Sequence, residues 1–179
     1  RARRRGRGLG LAYGRARAGR RSPVRAAAFV GFGRGAAARG ERVTVIGSGH
    51  SFTDIGCTDG CLIKLDRYNQ VLTVDREGAT ITAQAGITIL QLSAALAPFG
   101  LAMENMGDVG YQTISGAIST ATHGTGEKLR NISSQSVGLA RVPAEGRVPE
   151  PAARMHPGAC QAAPAAPSAP GGGPAGAHR

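Results

Sequence analysis

Ile46-Gly47-Ser48-Gly49-His50-Ser51-Phe52 is the first stretch of the chain whose residue types and spacing could do chemistry. Two glycines two apart allow positive φ and can turn successive backbone N–H groups inward, which suits a diphosphate. Ser48 and Ser51 add hydroxyl donors. An ordinary glycine turn would use the same residues, and the heptad alone leaves both readings open. Three familiar motifs fail here. Phe52 stands where a dinucleotide fingerprint needs its third glycine, and no Gly-Lys-Ser/Thr follows for a phosphate loop. Thr53 stands where a serine-hydrolase elbow needs its second glycine, so His123-Gly124-Thr125-Gly126 gains no oxyanion role from it.

A second stretch, Asn105 to Gly126, is built almost wholly of small residues and hydroxyls. Close-packed cores avoid such composition, because small side chains leave voids. It suits a backbone pressed against a flat, extended ligand, or else a tight contact between helices.

The elements that must position these stretches can be read from periodicity. Arg42 to Ile46 is β-branched and stops at Gly47, as a buried strand entering a turn. Leu62-Ile63-Lys64-Leu65 is a second short strand after Asp59-Gly60. Val71 to Asp75 and Thr80 to Ala83 flank Arg76-Glu77-Gly78-Ala79 as a hairpin. Thr88 is an N-cap with Gln91 completing a capping box. The helix it opens carries Ile89, Leu92, Leu96 and Phe99 on one face, and Gly100 ends it. Thr113 or Ser115 opens a small-residue helix through Ala121, and Ser136 to Leu139 reads as one more strand. Short strands and two helices in mixed order give an α+β class, with α/β close to it.

Charge and composition divide the chain in three. Residues 1–42 carry 13 Arg against Glu41 alone, a net +12, whereas residues 43–142 carry a net −2 and residues 143–179 a net +1. A nucleic-acid footprint spread over the whole domain is therefore excluded, and only the Arg-rich start could bind nucleic acid. Residues 143–179 hold eight of the ten prolines and no Leu, Ile or Phe. They cannot bury enough apolar surface to offset their ordering entropy and are expected to be disordered. Both flanks, 1–40 and 143–179, have the Arg/Ala/Gly/Pro bias of a GC-rich gene translated outside its frame. The domain proper is expected over 41–142. Arg20-Arg21 ahead of Ala26 to Phe32 is a poor export signal, since Arg34 interrupts the apolar stretch. No apolar run approaches the roughly 18 residues of a membrane span. A cytoplasmic location is expected, with peripheral membrane association the alternative. Cys57, Cys61 and Cys160 are too few and too scattered for a disulfide framework or a zinc site.

In order and spacing, Gly47-Ser48-Gly49-His50-Ser51-Phe52, Cys57-Thr58-Asp59-Gly60 and the stretch Gly107 to Gly126 resemble the FAD domain of the vanillyl-alcohol-oxidase superfamily (the PCMH type). The nearest likeness is to its sugar-1,4-lactone oxidoreductases, such as the D-arabinono- and L-gulonolactone oxidases, with alditol oxidases next. An enolpyruvyl reductase of cell-wall synthesis matches these motifs less well. The resemblance implies FAD as cofactor, with Ile46, Gly47, Ser48, Gly49 and Ser51 around its diphosphate. His50 matches a histidine that many relatives bond covalently to the flavin 8α carbon, which needs a neutral imidazole as nucleophile. In relatives without that bond, such a histidine merely packs. By the same likeness Asp108, Thr113, Gly116, Thr120, Ala121, Thr122, His123 and Gly124 line the isoalloxazine and ribityl chain. Asp108 departs from the small hydroxyl residue of some relatives. Gly107 falls where a small residue opens the flavin to oxygen, favouring oxidase over dehydrogenase. His123, in a Thr-His-Gly turn, is better read as a hydrogen-bonded turn histidine.

The implied substrate is a sugar lactone or related polyol, with O2 or another acceptor, and no metal. The residues that handle that substrate belong to a cap domain that follows the FAD domain in the family. The chain is expected to lack that domain, and to lack the helix and strands that precede the first glycine loop. Alone it is therefore expected to be inactive. An inactive FAD-fold remnant and a basic nucleic-acid-binding protein are the readings that compete.

Overall fold

The computed structural model describes residues 21–142, and their elements are helix α1 (Ala26–Ala38), strands β1 (Val43–Ile46), β2 (Cys61–Lys64), β3 (Val71–Asp75) and β4 (Thr80–Ala83), and helices α2 (Ile89–Leu96) and α3 (Ile114–Ser119). Short 3-10 turns cover Asp54–Gly56, Ala97–Phe99 and Ile132–Gln135.

β1 and β2 pair in parallel, Val43 opposite Cys61 through Ile46 opposite Lys64. Arg21 adds a parallel bridge on the far edge of β2, its N–H donating to Leu62 O at 3.0 Å and its carbonyl accepting from Lys64 N at 2.8 Å. β2 is thus central, and Leu62 and Ile63 are each only 2% exposed. α1 lies over this sheet. Phe29, Phe32 and Ala36 recur at helical spacing and pack against Cys61 and Ile63. The Phe29 ring meets Tyr68 edge-on at 5.0 Å, and the Arg21 guanidinium sits 5.7 Å above the Phe32 ring. Gly40, at φ 65°, releases the chain from α1. Just beyond it, the Arg39 guanidinium hydrogen-bonds Glu41 at 2.8 Å and holds its carboxyl below the usual carboxylate range.

These residues correct two sequence expectations. The folded unit does not start at Glu41, and a helix and a strand-like bridge do precede the glycine loop. The apolar stretch weighed as part of an export signal is the first half of α1.

β3 and β4 form the expected antiparallel hairpin, with an irregular register between Val71 and Thr73. Its inner residues, Val74, Ile81 and Ala83, pack against Ile87, Leu92, Leu96 and Leu101. α2 has the capping box read from sequence: the Thr88 side chain accepts from Gln91 N, and Gln91 Oε1 accepts from Thr88 N at 3.0 Å. Ile89, Leu92 and Leu96 are buried on one face, whereas Phe99 is 40% exposed and leaves that stripe. Gly100 ends the helix at φ 69°. α3 is capped by Thr113 and packs Ala117 against Ile89 and Ile132. Ser136–Leu139 is not a strand, because no neighbouring strand among the described residues offers it a ladder. Likewise β1 is less buried than its sequence suggests. Only Ile46 is enclosed, and Val45 is 53% exposed. Of the flanks set apart by composition, residues 1–20 of the first (1–40) and all of the second (143–179), expected to be disordered, lie outside the described residues.

Among the described residues no helix is long and apolar enough to cross a membrane, and no cluster of His, Cys, Asp and Glu could hold a metal ion. Cys57 is half-buried, and Cys61 is a buried free thiol.

Candidate functional site

The glycine loop leaves the C-terminal end of β1 and folds against the N-terminal end of α3. An open cleft of about 570 Å³ lies between them. Residues 45–53 and 55–57, with Leu65, form one wall; Gln112, Thr113, Ser115, Gly116, Ser119 and Thr120 form the other. Placement at the C-terminal end of parallel strands follows from topology, since the loops there splay away from the sheet.

Two contacts set the loop's position. A methyl group on Gly47 would overlap Thr113 Oγ1, so the two walls touch only because residue 47 has no side chain. The Ser48 hydroxyl donates to the Tyr111 carbonyl across the same junction. Gly49 takes φ 75°, turning the chain in the left-handed region. Thr113 in turn is fixed by its own element. Its Oγ1 accepts from Gly116 N at 3.4 Å and lies 3.3 Å from Ser115 Oγ. Its backbone forms a bridge to Thr88 at the head of α2.

Among the described residues no Lys, Arg, Asp or Glu lines the cleft. An anion there would be held by backbone N–H groups and by the hydroxyls of serine and threonine, as a nest of amides does. His50 is exposed at the cleft and is the basic side chain that lines it among the described residues. Val45, Phe52 (91% exposed) and Ile55 (74% exposed) give the same wall an apolar rim.

The structure brings Ile46, Gly47, Ser48, Gly49, His50, Ser51, Thr113, Gly116 and Thr120 into this one cleft. Gly107, Asp108, Ala121, Thr122, His123 and Gly124 do not line it. Most of them build a neighbouring wall. A Cβ on Gly107 would sit 2.8 Å from Thr122 Cγ2 and 3.8 Å from Gln112 Oε1, and one on Gly124 would collide with Met106 O. His123 is exposed, with Nδ1 2.8 Å from the Gly124 carbonyl, the turn geometry its sequence context suggested. Asp108 is exposed. Ala121 adopts φ 52°, an unusual value for a residue with a Cβ, where the chain leaves α3.

This wall is held by a clasp that the sequence did not reveal. Gln135 Oε1 accepts from Glu104 N at 3.1 Å while its Nε2 donates to Asn105 O at 2.8 Å. Asn105, 8% exposed, donates to Arg130 O at 3.0 Å. Sequence reasoning also passed over Gln112, a cleft residue inside the small-residue stretch whose length among shorter neighbours was the available signal.

A family model described as an FAD binding domain matches residues 24–150. L-gulono-1,4-lactone dehydrogenase of Mycobacterium tuberculosis (strain H37Rv) is 49% identical over 113 residues, covering 63% of this chain and 26% of that protein. L-gulonolactone oxidase of Mus musculus is 42% identical over 110 residues, covering 62% of this chain and 25% of its own length. The chain therefore spans about a quarter of the length of these relatives. The fold is also that of 6-hydroxy-D-nicotine oxidase from Arthrobacter nicotinovorans, with a TM-score of 0.61 at 22% identity over 74% of this chain and 30% of that one.

Proposed function

The chain belongs to the FAD binding domain family, and from that premise we propose that it holds the FAD of an oxidoreductase acting on a sugar-1,4-lactone or related polyol. The observation that carries this reading is the cleft. Gly47 and Ser48 lie flush against Thr113 and Tyr111, more than 60 residues further along the chain. Among the described residues the resulting channel is lined by glycines and by serine and threonine hydroxyls, without Lys, Arg, Asp or Glu, and such a lining suits a diphosphate.

The residues fit FAD in three respects. Gly47 lets the loop close on Thr113 and Gly49 turns it at φ 75°, giving a stretch with little side chain that a diphosphate can approach. The apolar rim of Val45, Phe52 and Ile55 offers surface to a ring system. The side-chain oxygen of Gln112 is buried without a partner, as an acceptor awaiting a ligand would be. In this reading Ile46, Gly47, Ser48, Gly49, Ser51, Thr113, Gly116 and Thr120 hold the cofactor. Asp108, Ala121, Thr122, His123 and Gly124 extend that surface toward its flavin end, and Gly107 keeps oxygen access open. Bound FAD supplies the two-electron redox chemistry, taking electrons from the sugar and passing them to O2 or another acceptor. The chain's own contribution is to bind and orient it. No described residue is assigned to the sugar or to the proton the sugar loses.

His50 is proposed as the covalent anchor, through an imidazole nitrogen to the flavin 8α carbon. Its exposure at the cleft leaves the ring accessible, and attachment needs the neutral form. The test is acid precipitation of FAD-loaded protein. Flavin colour is expected in the wild-type pellet and in the supernatant of His50→Ala. Colour in the supernatant of both removes the covalent bond and leaves noncovalent binding. Absence of flavin from the native wild-type protein removes the FAD reading itself.

A further inference from the structure

We propose that Gln112 is a flavin-positioning residue, whose side-chain carbonyl takes a hydrogen bond from the flavin end of the cofactor rather than from its ADP end. The inference rests on the FAD reading above and assigns a role that neither motif nor family match gave to this residue.

Three observations carry it. First, among the described residues Gln112 Oε1 is the side-chain polar atom that is buried and makes no hydrogen bond. Its neighbours are satisfied locally: Ser48 by Tyr111 O, Thr113 by Ser115 and Gly116 N, Thr120 by Gly116 O at 2.9 Å. Buried acceptors without donors are rare because nothing replaces the water they lose. Second, the orphan is not the end of a loose side chain. The Gln112 carbonyl accepts from Ile89 N at 3.0 Å, its N–H donates to Val109 O at 3.4 Å, and both sequence neighbours are tied, Tyr111 to Ser48 and Thr113 to the α3 cap. The root of the side chain is therefore fixed by three elements at once. Third, Gln112 stands where the two walls meet, lining the cleft on one side and facing Gly107 on the other.

An acceptor requires a donor, and the parts of FAD differ in what they offer. The diphosphate is acceptor-only at neutral pH. The flavin end carries the ring imide N–H and the ribityl hydroxyls. The adenosine end carries donors as well, in its amino group and ribose hydroxyls, but Gln112 faces Gly107, which the reading above sets beside the flavin, so the unpaired acceptor is assigned to the flavin end.

The test uses the full 179-residue chain and two apolar replacements of similar reach, Gln112→Met and Gln112→Leu. Each is read for FAD affinity by flavin fluorescence, for ADP affinity by calorimetry, and for melting temperature without ligand. The expected result is FAD binding at least tenfold weaker, unchanged ADP binding, and an unliganded melting temperature equal to or above wild type. The last sign is opposite to that of a structural residue, because removing the side chain also removes a buried unpaired oxygen. Repeating the titration with N3-methyl-FAD identifies the donor. If the difference between wild type and variants vanishes with this analogue, the donor is the imide N–H; if it persists, the donor is a ribityl hydroxyl. Equal FAD affinity in wild type and variants overturns the proposal, as does a parallel loss of ADP binding or a fall in unliganded melting temperature. Failure of the wild type to bind FAD overturns the underlying reading instead, and the two failures are told apart by that one control.

Discussion

At the scale of single residues, the site depends on what is missing as much as on what is present. Gly47 carries no side chain, and Thr113 Oγ1 occupies the space that one would need. Gly47→Ala is expected to push the glycine loop off α3 and disturb the Thr113 cap, lowering stability by about 1–3 kcal/mol as overpacking does. A chemical-denaturation midpoint measures this, with Gly116→Ala as the milder comparison, since its Cβ would sit 3.3 Å from the same oxygen. An unchanged midpoint for Gly47→Ala would mean that the two walls do not touch in solution. Much of this was legible beforehand. The pattern of Gly47, Gly49, Ser48 and Ser51 announced a glycine turn that could face a ligand, and of the two caps the sequence offered, Thr113 and Ser115, the structure uses Thr113. What could not be read was which side chain would end up stranded. Gln112 Oε1 lacks a partner because of where α2, α3 and the loop meet, a property of three-dimensional packing that no local window contains.

At the scale of elements, the hairpin and α2 followed the sequence closely because their signals are local: alternation for β3 and β4, and the Thr88–Gln91 box for α2. α1 went unread for an equally physical reason. Gly31, Gly33 and Gly35 stand in its interior, where each glycine costs a helix about 1 kcal/mol relative to alanine. Its formation depends instead on burying Phe29, Phe32 and Ala36 against β2, which is tertiary rather than local. A definite expectation follows. Both Gly31 and Gly33 have open space where a Cβ would sit. Gly31→Ala and Gly33→Ala should each raise stability by about 0.5–1 kcal/mol, seen as a higher melting temperature with unchanged FAD affinity. A fall in melting temperature for either would show that α1 does not persist in solution.

Taken whole, the described chain is two small sheets, each with a helix against it, and a cleft between the loop that leaves β1 and the N-terminal end of α3. The composition break at residue 41 marks a change in charge and not an edge of the fold, because α1 and the Arg21 bridge lie before it. Removing residues 1–20 is expected to leave the FAD affinity as it was, whereas extending the deletion through Ala38 uncovers Cys61 and Ile63 and should give an insoluble or molten product. Circular dichroism and gel filtration of the two truncations distinguish the outcomes; a monomeric, cooperatively melting product lacking α1 would place the fold's boundary after it.

The bond from Ser48 to Tyr111 joins positions 63 residues apart. The chain between them includes β2, the hairpin and all of α2, so the two walls can meet only once those elements have closed a long loop. Such closure is opposed by an entropy that grows with the logarithm of loop length. A ligand lying across the cleft would touch both ends of that loop at once. To the folding chain FAD would thus act as a cross-link, holding together two stretches that are otherwise secured by little more than one hydroxyl and the close approach that Gly47 allows.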